Sequence, residues 1–246
     1  NYLEMKAMIF AAGLGTRLKP LTNTMPKALV PVGGKPLLQH TIEKLIAAGF
    51  DEIIINIHHF ADQIIHFVKA NNSFGIRIAF SDEREKLLDT GGGIKKAAWF
   101  FDDEQPFLIH NVDILSNINL TELYTTHTRG EALATLVCSD RQTSRYLLFD
   151  HNNHLKGWIN HQTGEVKSPF RDIDPTCYRQ LAFSGIHIIS PSLLSYMKAY
   201  KEKFSIIDFY LSVCDKVELT AFIPDNLQVI DVGKIDSLTE ARNFMI

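Results

Sequence analysis

The sequence predicts an α/β protein with a mixed, mostly parallel central sheet flanked by helices and with a small strand-rich insertion. Two observations favour this class: apolar strand patterns alternate with helical patterns in the first half of the chain, whereas strand patterns follow one another in the second half. Strands that alternate with helices of this length are typical of βαβ units, whose strands pair in parallel. The chain has 246 residues, 46% of them hydrophobic, which is enough to bury a large core.

The first half supplies the elements of the parallel sheet. A short apolar run before Ala-Ala-Gly predicts a buried first strand at 7–10, and apolar residues at helical spacing predict a helix from Leu37 to Ala48, which Gly49 ends. Further patterns then alternate in the order strand 52–56, helix 60–69, strand 76–80, helix from the glycines at 91–93 to about 101, and strand 107–110. Ligands of such sheets bind at the carboxyl ends of the strands. The loops after Phe10 and His110 are therefore the predicted binding loops.

The second half predicts the strand-rich insertion. Turn-rich stretches separate strand-like segments at 132–138, 146–150, 155–160 and 181–188, and the stretch 161–180 predicts a surface excursion. Helices near 191–199 and 205–215, strands near 218–223 and 228–231, and a final helix from Ser237 complete the chain. Because the sequence has no internal repeat and no low-complexity tract, we expect one compact unit.

Composition and charge exclude several classes of protein. A formal net charge of -3 disfavours a protein that coats nucleic acid. No apolar run approaches the ~20 residues of a membrane span, and the opening Asn1-Tyr-Leu-Glu lacks a secretory segment. Three cysteines are too scattered for a disulfide framework or a zinc site and are expected to be reduced: Cys138, Cys177 and Cys214. We therefore expect a cytoplasmic protein without a membrane partner, whose first few residues are incomplete because the chain does not begin with Met.

The loop after the first strand carries most of the functional information. Gly13 and Gly15 lie where the absence of a Cβ lets backbone N–H groups close around an anion. Arg17 can hold phosphate oxygens with its planar guanidinium, and Lys27 adds a second cation. Fixed donors and cations are what phosphoryl and nucleotidyl transfer need, because charge has to be neutralised without reorganisation.

Two commoner glycine motifs do not fit this loop. A dinucleotide fingerprint needs a third glycine where this chain has Leu18, and it needs an acidic residue about 20 positions further on, which is absent. An NAD-dependent oxidoreductase is thus a disfavoured alternative. The run Gly34-Lys-Pro lacks the hydroxyl residue of a P-loop. Adjacent His58 and His59 have no third ligand at a suitable spacing, which favours hydrogen bonding over a metal site.

Asp113 and Asp231 are the candidate metal ligands. Asp113 follows the strand 107–110 at the predicted binding edge, and Asp231 ends the apolar strand that precedes Val232-Gly233. Two carboxylates at neighbouring strand ends can hold one Mg²⁺, which prefers water and phosphate oxygens for its other positions. The glycines 91–93 open a helix, whose electropositive N-terminus allows close backbone approach to a ligand.

Two runs of the first loop are long and specific: Gly13-Leu-Gly-Thr-Arg-Leu-Lys-Pro-Leu-Thr and Pro26-Lys-Ala-Leu-Val-Pro-Val. They resemble the signature of the sugar-1-phosphate nucleotidyltransferases, and the similarity continues through 33–37, 88–94, 183–186 and 231–233. Within that family the chain is most similar to the N-acetylmuramate-1-phosphate uridylyltransferases of cell-wall recycling, and next to the mannose-1-phosphate guanylyltransferases. The resemblance implies a Rossmann-like nucleotide-binding core and a Mg²⁺-dependent enzyme that forms a nucleotide sugar of the cell envelope and pyrophosphate.

The resemblance also implies which substrates the enzyme uses and how its chain is divided into a nucleotide-binding and a sugar-binding part. The substrates would be UTP and N-acetylmuramate 1-phosphate or, alternatively, GTP and mannose 1-phosphate or a heptose 1-phosphate. Residues 1–246 would form a single domain, with a nucleotide-binding part at about 5–130 and a sugar-binding part at about 131–235. The oligomeric state stays open. A rival of another class is a nucleotide- or sugar-sensing module on the same scaffold that has lost catalysis.

Individual residues receive roles from the same resemblance. Arg17 and Lys27 would be catalytic, and Asp113 and Asp231 would bind the metal, although Val112 stands where the family has glycine. The nucleotide would contact six residues: Ala12, Gly13, Gly15, Thr16, Gly91 and Gly92. The sugar would contact Asn111, Ser184 and Gly185. Many relatives hold the sugar phosphate with the lysine of a Glu-Lys-Pro run, which is absent here, so four basic residues stay unassigned candidates: Arg145, Lys156, Lys167 and Arg179.

Overall fold

A computed structural model describes residues 4–244 as a sheet with helices on both faces. The strands are β1 (Met5–Phe10), β2 (Pro31–Val32), β3 (Lys35–Pro36), β4 (Phe50–Ile57), β5 (Arg77–Asp82), β6 (Phe107–Asn111), β7 (Ile114–Ser116), β8 (Ala134–Ser139), β9 (Arg145–Phe149), β10 (Leu155–Asn160), β11 (Val166–Lys167), β12 (Arg179–Ile189), β13 (Leu219–Phe222) and β14 (Val229–Asp231). The helices are α1 (Leu37–Ala47), α2 (Ala61–Ala70), α3 (Asp89–Ala97), α4 (Leu120–Arg129), α5 (Leu194–Met197), α6 (Ile206–Val213) and α7 (Ile235–Phe244).

Residues 1–3 and 245–246 lie outside the described residues. The expectation about a secretory segment and the ends of the predicted domain fall partly on them. Between residues 4 and 244, no helix combines the length and the apolar character that crossing a lipid bilayer requires. All three cysteines are free thiols, as predicted, and Cys177 is the exposed one.

The central sheet has the strand order β11-β10-β9-β12-β6-β1-β4-β5, and β8 and β13 join it beside β12. Strands β5, β4, β1 and β6 pair in parallel. Strand β12 is antiparallel to β6 and connects this part to the antiparallel strands of the insertion. The predicted α/β, Rossmann-like class, with a mixed sheet and a strand-rich insertion, is confirmed.

Both faces of the parallel strands are buried, which explains their continuous apolar runs. Because successive side chains of a strand point to opposite faces, Ile9 and Ile55 pack in one core with α1 and α2. Met8 and Ile54 pack in a second core with α3 and α6. The two cores together fix the plane of the sheet, so the carboxyl ends of β1, β4, β5 and β6 meet at one edge.

Helix α4 was not predicted from the sequence. Its N-cap is Asn119, whose side-chain oxygen accepts a hydrogen bond from Glu122 N at 3.0 Å. An Asn followed three residues later by Glu is a recognised helix start, so this signal was present in the sequence. The helix has buried residues at Leu120, Leu123 and His127, and these pack it against the sheet beside β12.

Candidate active site

A cavity of about 320 Å³ lies at the carboxyl ends of the parallel strands, where the two binding loops were predicted. Its floor consists of Phe10, Asn56, Glu83 and Asn111, which lie at or next to the ends of β1, β4, β5 and β6. The rest of the lining comes from the loop after β1, from Asp113, and from the start of α3 together with Lys203. The topology therefore brings together segments that are up to 193 residues apart, as 203 − 10 = 193.

The loop after β1 folds back so that Lys27 lies beside Gly13. Gly15 has a φ of 64°, and a Cβ on it would lie 2.8 Å from Thr22 Cγ2. The Gly15 carbonyl accepts a hydrogen bond from Thr22 Oγ1 at 2.6 Å. Only glycine allows this backbone conformation and this close approach without strain. Ala12 and Gly13 line the cavity, whereas Thr16 lies on the exposed side of the loop.

Lys27 and Asp113 form an ion pair in the cavity, with Lys27 Nζ 2.7 Å from Asp113 Oδ2. Their side chains are only 18% and 13% exposed. Arg17 and Asp231 lie next to this pair: a Cβ on Gly233 would be 2.6 Å from Arg17 Nη2 and 2.7 Å from Asp231 Oδ1. Two cations and two carboxylates thus meet at one edge of the cavity.

The two carboxylates are held by a short antiparallel pair of strands, β7 and β14. Asp231 pairs with Ile114 in this ladder, and the main-chain oxygen of Asp113 accepts a hydrogen bond from Val232 N at 2.8 Å. The pairing explains how residues 118 positions apart, as 231 − 113 = 118, become neighbours. The two strands form a two-stranded sheet of their own, separate from the central sheet.

The electrostatics of this carboxylate pair suit a divalent cation. Asp231 keeps some contact with solvent, but the protein packed around it and the neighbouring Asp113 carboxylate raise its pKa, while Arg17 and Lys27 oppose the rise. A pair of carboxylates that repel each other is the donor set that Mg²⁺ prefers. Among residues 4–244, no group of three or more His, Cys, Asp or Glu side chains could hold a metal ion, so substrate oxygens and water would complete the coordination.

Val112 does not narrow the cavity. Its side chain is 1% exposed and packs in the core that contains α1 and α2, while its N–H donates to the Phe10 carbonyl at 3.1 Å. The exchange of the family's glycine for valine therefore adds bulk to the core and leaves the approach to Asp113 open.

Asn111 and Gly185 lie together at the end of the cavity nearest to the insertion. A Cβ on Gly185 would be 2.5 Å from Asn111 Nδ2, and Asn111 lines the cavity. Ser184 points the other way: it is 2% exposed, and its hydroxyl donates to the Val137 carbonyl at 2.8 Å. Ser184 therefore serves the pairing of β12 with β8, and we correct its predicted contact with the sugar.

Gly91 and Gly92 also differ from the expectation. They lie inside the first turns of α3, and their N–H groups donate to the Phe204 carbonyl at 2.9 and 3.1 Å. A Cβ on Gly92 would overlap the Glu202 carbonyl oxygen, and one on Gly91 would overlap the Phe204 ring. The segment 202–206 thus packs directly on both glycines and occupies their N–H groups. We therefore correct their predicted main-chain contact with the base. Thr90 and Asp89 line the cavity in their place.

Two residues of the cavity floor, Asn56 and Glu83, were not identified from the sequence. Asn56 Oδ1 accepts a hydrogen bond from Ala11 N at 2.7 Å, and Asn56 Nδ2 donates to Glu83 Oε2 at 2.8 Å. Glu83 Oε1 accepts one from Leu88 N at 2.9 Å, and the residue is 1% exposed. Both follow apolar strand patterns and lie at the same edge of the sheet as Asp113. The rule that ligands bind at the carboxyl ends of parallel strands could therefore have identified them from the sequence.

The four basic candidates for the sugar phosphate lie away from the cavity. Lys156 Nζ is 3.7 Å from Asp150 Oδ2, and Lys167 Nζ is 3.2 Å from Asp208 Oδ1. Arg145 and Arg179 are exposed on β9 and β12. None of the four is among the residues that line the cavity in the described part of the chain.

His58 and His59 make hydrogen bonds to main-chain carbonyls. His58 Nδ1 donates to Glu83 O at 2.6 Å, and His59 Nε2 donates to Thr22 O at 3.2 Å. The first bond supports the loop that carries Glu83, and the second supports the loop after β1. The pair thus positions both sides of the cavity.

Comparisons with known proteins identify the family of the chain. The profile of a family described as "Nucleotidyl transferase" matches residues 6–246. A relative from Caulobacter vibrioides, an N-acetylmuramate alpha-1-phosphate uridylyltransferase, is 47% identical over 44% of this chain and 45% of its own length. A mannose-1-phosphate guanyltransferase from Yarrowia lipolytica is 33% identical over 77% of this chain and 50% of its own length. The chain thus spans about half the length of these two curated relatives.

The fold agrees with solved structures as well. HddC from Yersinia pseudotuberculosis superposes with a TM-score of 0.77 at 24% sequence identity. The match covers 98% of this chain and 100% of that chain. At this identity the likeness concerns the fold alone.

Proposed function

Because the chain belongs to the nucleotidyl transferase family, we propose that it joins a nucleoside triphosphate to a sugar 1-phosphate and releases pyrophosphate. One observation carries the proposal: Lys27 and Asp113 line the cavity that the sheet forms at its carboxyl ends, and Arg17 and Asp231 lie beside that pair. Fixed charges of both signs at such an edge suit the transfer of a nucleotidyl group, which is catalysed by alignment and charge neutralisation.

The reaction needs no nucleophile from the protein. A phosphate oxygen of the sugar 1-phosphate forms a bond to the α-phosphorus of the triphosphate, while the bond from that phosphorus to the oxygen of the departing pyrophosphate breaks in line. Arg17 neutralises the β and γ phosphates, and Lys27 bridges phosphates across the breaking bond. Ala12, Gly13, Gly15 and Thr16 hold the triphosphate through the loop after β1.

Asp113 and Asp231 are the residues that would hold Mg²⁺. The ion, when bound, supplies positive charge to the α-phosphate and orients its oxygens. The two carboxylates keep their relative position because β7 and β14 pair next to them.

We assign the floor and the ends of the cavity to the two substrates. Residues of about 5–130 form the nucleotide-binding part, in which Asn56 and Glu83 contact the base. Residues of about 131–235 form most of the sugar-binding part, in which Gly185, together with Asn111, contacts the sugar. Asn111 therefore lies at the border between the two parts, next to the reacting phosphates.

Uridine triphosphate and N-acetylmuramate 1-phosphate are the proposed substrates. Their support is the 47% identity with the Caulobacter vibrioides uridylyltransferase over 109 residues. A second pair is GTP with mannose 1-phosphate or a heptose 1-phosphate. Its support is the 33% identity with the Yarrowia lipolytica mannose-1-phosphate guanyltransferase over 77% of this chain.

The test is a matrix of the four nucleoside triphosphates against N-acetylmuramate, mannose, glucose and heptose 1-phosphates. Pyrophosphate release is measured with and without Mg²⁺. We expect release that depends on Mg²⁺ and is strongest for one of the two proposed pairs. Binding of a triphosphate without pyrophosphate release from any pair would instead identify a sensing module. A titration with NAD would separately identify the disfavoured oxidoreductase.

A further inference from the structure

We propose that Lys203 binds the phosphate group of the sugar 1-phosphate, an inference that rests on the proposed function above. Lys203 lines the same cavity as Lys27, but it comes from a different segment, 202–206, which is bonded to the start of α3. None of the four candidates Arg145, Lys156, Lys167 and Arg179 lines this cavity. The cavity therefore has lysines from two separate segments of the chain.

The two lysines differ in their partners. The Lys27 ammonium is bonded to the Asp113 carboxylate at 2.7 Å. For Lys203, no carboxylate within residues 4–244 lies at salt-bridge distance, and the neighbouring Glu202 pairs with Lys86. An ammonium that faces a cavity without a carboxylate partner retains its full charge for an anionic ligand.

The backbone that carries Lys203 is fixed by hydrogen bonds to α3. The Phe204 carbonyl accepts bonds from Gly91 N and Gly92 N, and Phe204 N donates to Leu88 O at 3.3 Å. Ile206 N donates to Thr90 Oγ1 at 2.8 Å. These four bonds attach the segment 202–206 to the start of α3, so the backbone that carries the exposed Lys203 side chain requires little ordering when a ligand binds.

The geometry of the reaction assigns this cation to the sugar phosphate. The loop after β1 already supplies Lys27 and Arg17 to the triphosphate and its departing pyrophosphate. In an in-line displacement the attacking phosphate lies on the other side of the α-phosphorus from the leaving group. Because Lys203 comes from a segment outside the loop after β1, we assign its charge to the attacking group.

The test compares Lys203→Ala and Lys203→Arg with a matched control, Lys201→Ala, which removes the same charge from an exposed position outside the cavity lining. For Lys203→Ala we expect the KM for the sugar 1-phosphate to rise about 10-fold or more, with the KM for the triphosphate within about twofold of the wild type. Lys203→Arg should recover most of the loss, and Lys201→Ala should match the wild type. Thermal melting of each variant shows that the fold is retained.

Two results would overturn the assignment of Lys203. One is a KM for the sugar 1-phosphate that is the same in Lys203→Ala and Lys201→Ala. The other is a rise confined to the KM for the triphosphate, which would place Lys203 on the nucleotide. A failure of the proposed function is distinct from both, because the wild-type protein would then release no pyrophosphate in the substrate matrix.

Discussion

Lys27 is the residue at which the charges of the site are balanced. The Asp113 and Asp231 carboxylates are neighbours that repel each other, and Lys27 and Arg17 offset that repulsion. In this arrangement the ammonium of Lys27 takes part of the role that a divalent cation would have between the two acids. In the proposed function, a divalent cation held by Asp113 and Asp231 would neutralise these acids and leave Lys27 to the phosphates of the nucleotide. The ion pair would then be the arrangement of these groups before the triphosphate binds.

Lys27→Ala tests this role directly. The variant removes a fixed charge next to the transferred group, and we expect turnover to fall about 100-fold or more. The fold should persist because Lys27 lies in a short 3-10 turn whose buried residue is Ala28. Initial rates of pyrophosphate release and thermal melting are the measurements. Lys35→Ala is the control, since Lys35 is exposed and pairs only with the surface residue Glu43 in the described part of the chain. Turnover close to normal in Lys27→Ala would refute the role.

At the scale of elements, the first turns of α3 form the surface on which the segment 202–206 packs. Three consecutive glycines usually weaken a helix, but two of these allow the chain at 202–204 to approach the helix closely. The hydrogen bonds from Gly91 N and Gly92 N show that the helix start is occupied by the protein itself. If Lys203 binds the sugar phosphate as proposed, the glycines serve substrate binding indirectly, because they fix the segment that carries Lys203.

Gly92→Ala should disturb this contact. The added Cβ would overlap the Glu202 carbonyl oxygen, and we expect a loss of stability of about 1–3 kcal/mol together with a higher KM for the sugar 1-phosphate. Gly130→Ala is the matched control, because its Cβ would lie 3.6 Å from the Thr126 carbonyl oxygen, an ordinary contact distance. Urea unfolding and steady-state kinetics give the two readouts. A Gly92→Ala enzyme with the stability and KM of Gly130→Ala would show that the contact is dispensable.

The elements also show what a single sequence can reveal about this fold. Buried strands and amphipathic helices follow from local periodicity, so β1, β4, β6 and α1 were located to within a few residues. The edge where Lys27 and Asp113 meet followed from the rule for parallel sheets. Local patterns cannot show which distant segment packs on a helix, so the partners of Gly91 and Gly92 were missed.

Strand orientation explains a second error of prediction. Ser184 lies in β12, where the pairing with β8 shifts register between Phe183 and His187, and Gly185 adopts a φ of 79°. An irregularity of this kind changes which side chains face the cavity. Alternation along the sequence alone could not place it, because the shift depends on the partner strand.

At the scale of the whole molecule, three buried histidines surround the junction between the parallel and antiparallel parts of the sheet. His110 lies in β6, and His187 lies in β12, where its Nδ1 bonds the Tyr210 hydroxyl at 2.5 Å. His127 of α4 bonds Thr135 Oγ1 and Ser190 Oγ, each at 2.7 Å. Burial lowers the pKa of His110 and of His127 to about 4, and that of His187 to about 3.

These histidines should make the folded protein sensitive to acid. In the unfolded chain each imidazole binds a proton near pH 6.5, whereas in the folded protein the three stay neutral down to about pH 4. Between these values the three imidazoles take up protons only in the unfolded state. Their contribution to the free energy of unfolding is therefore largest above about pH 7 and falls as the pH decreases. Each buried histidine should contribute a loss of about 1 kcal/mol per pH unit below about pH 6.

The measurement is urea unfolding at about pH 7, about pH 6 and about pH 5, for the wild type and for His127→Gln. Glutamine can bond both hydroxyls but does not titrate, so the variant should lose about 1 kcal/mol less than the wild type between about pH 6 and about pH 5. His161→Gln is the control, because His161 is exposed and bonds only the Gln180 side chain through its ring in the described range. If the free energy of unfolding fell equally with pH in the wild type and in His127→Gln, the folded protein would tolerate a charged imidazole at His127. The dependence of stability on pH would then have to come from the carboxylates.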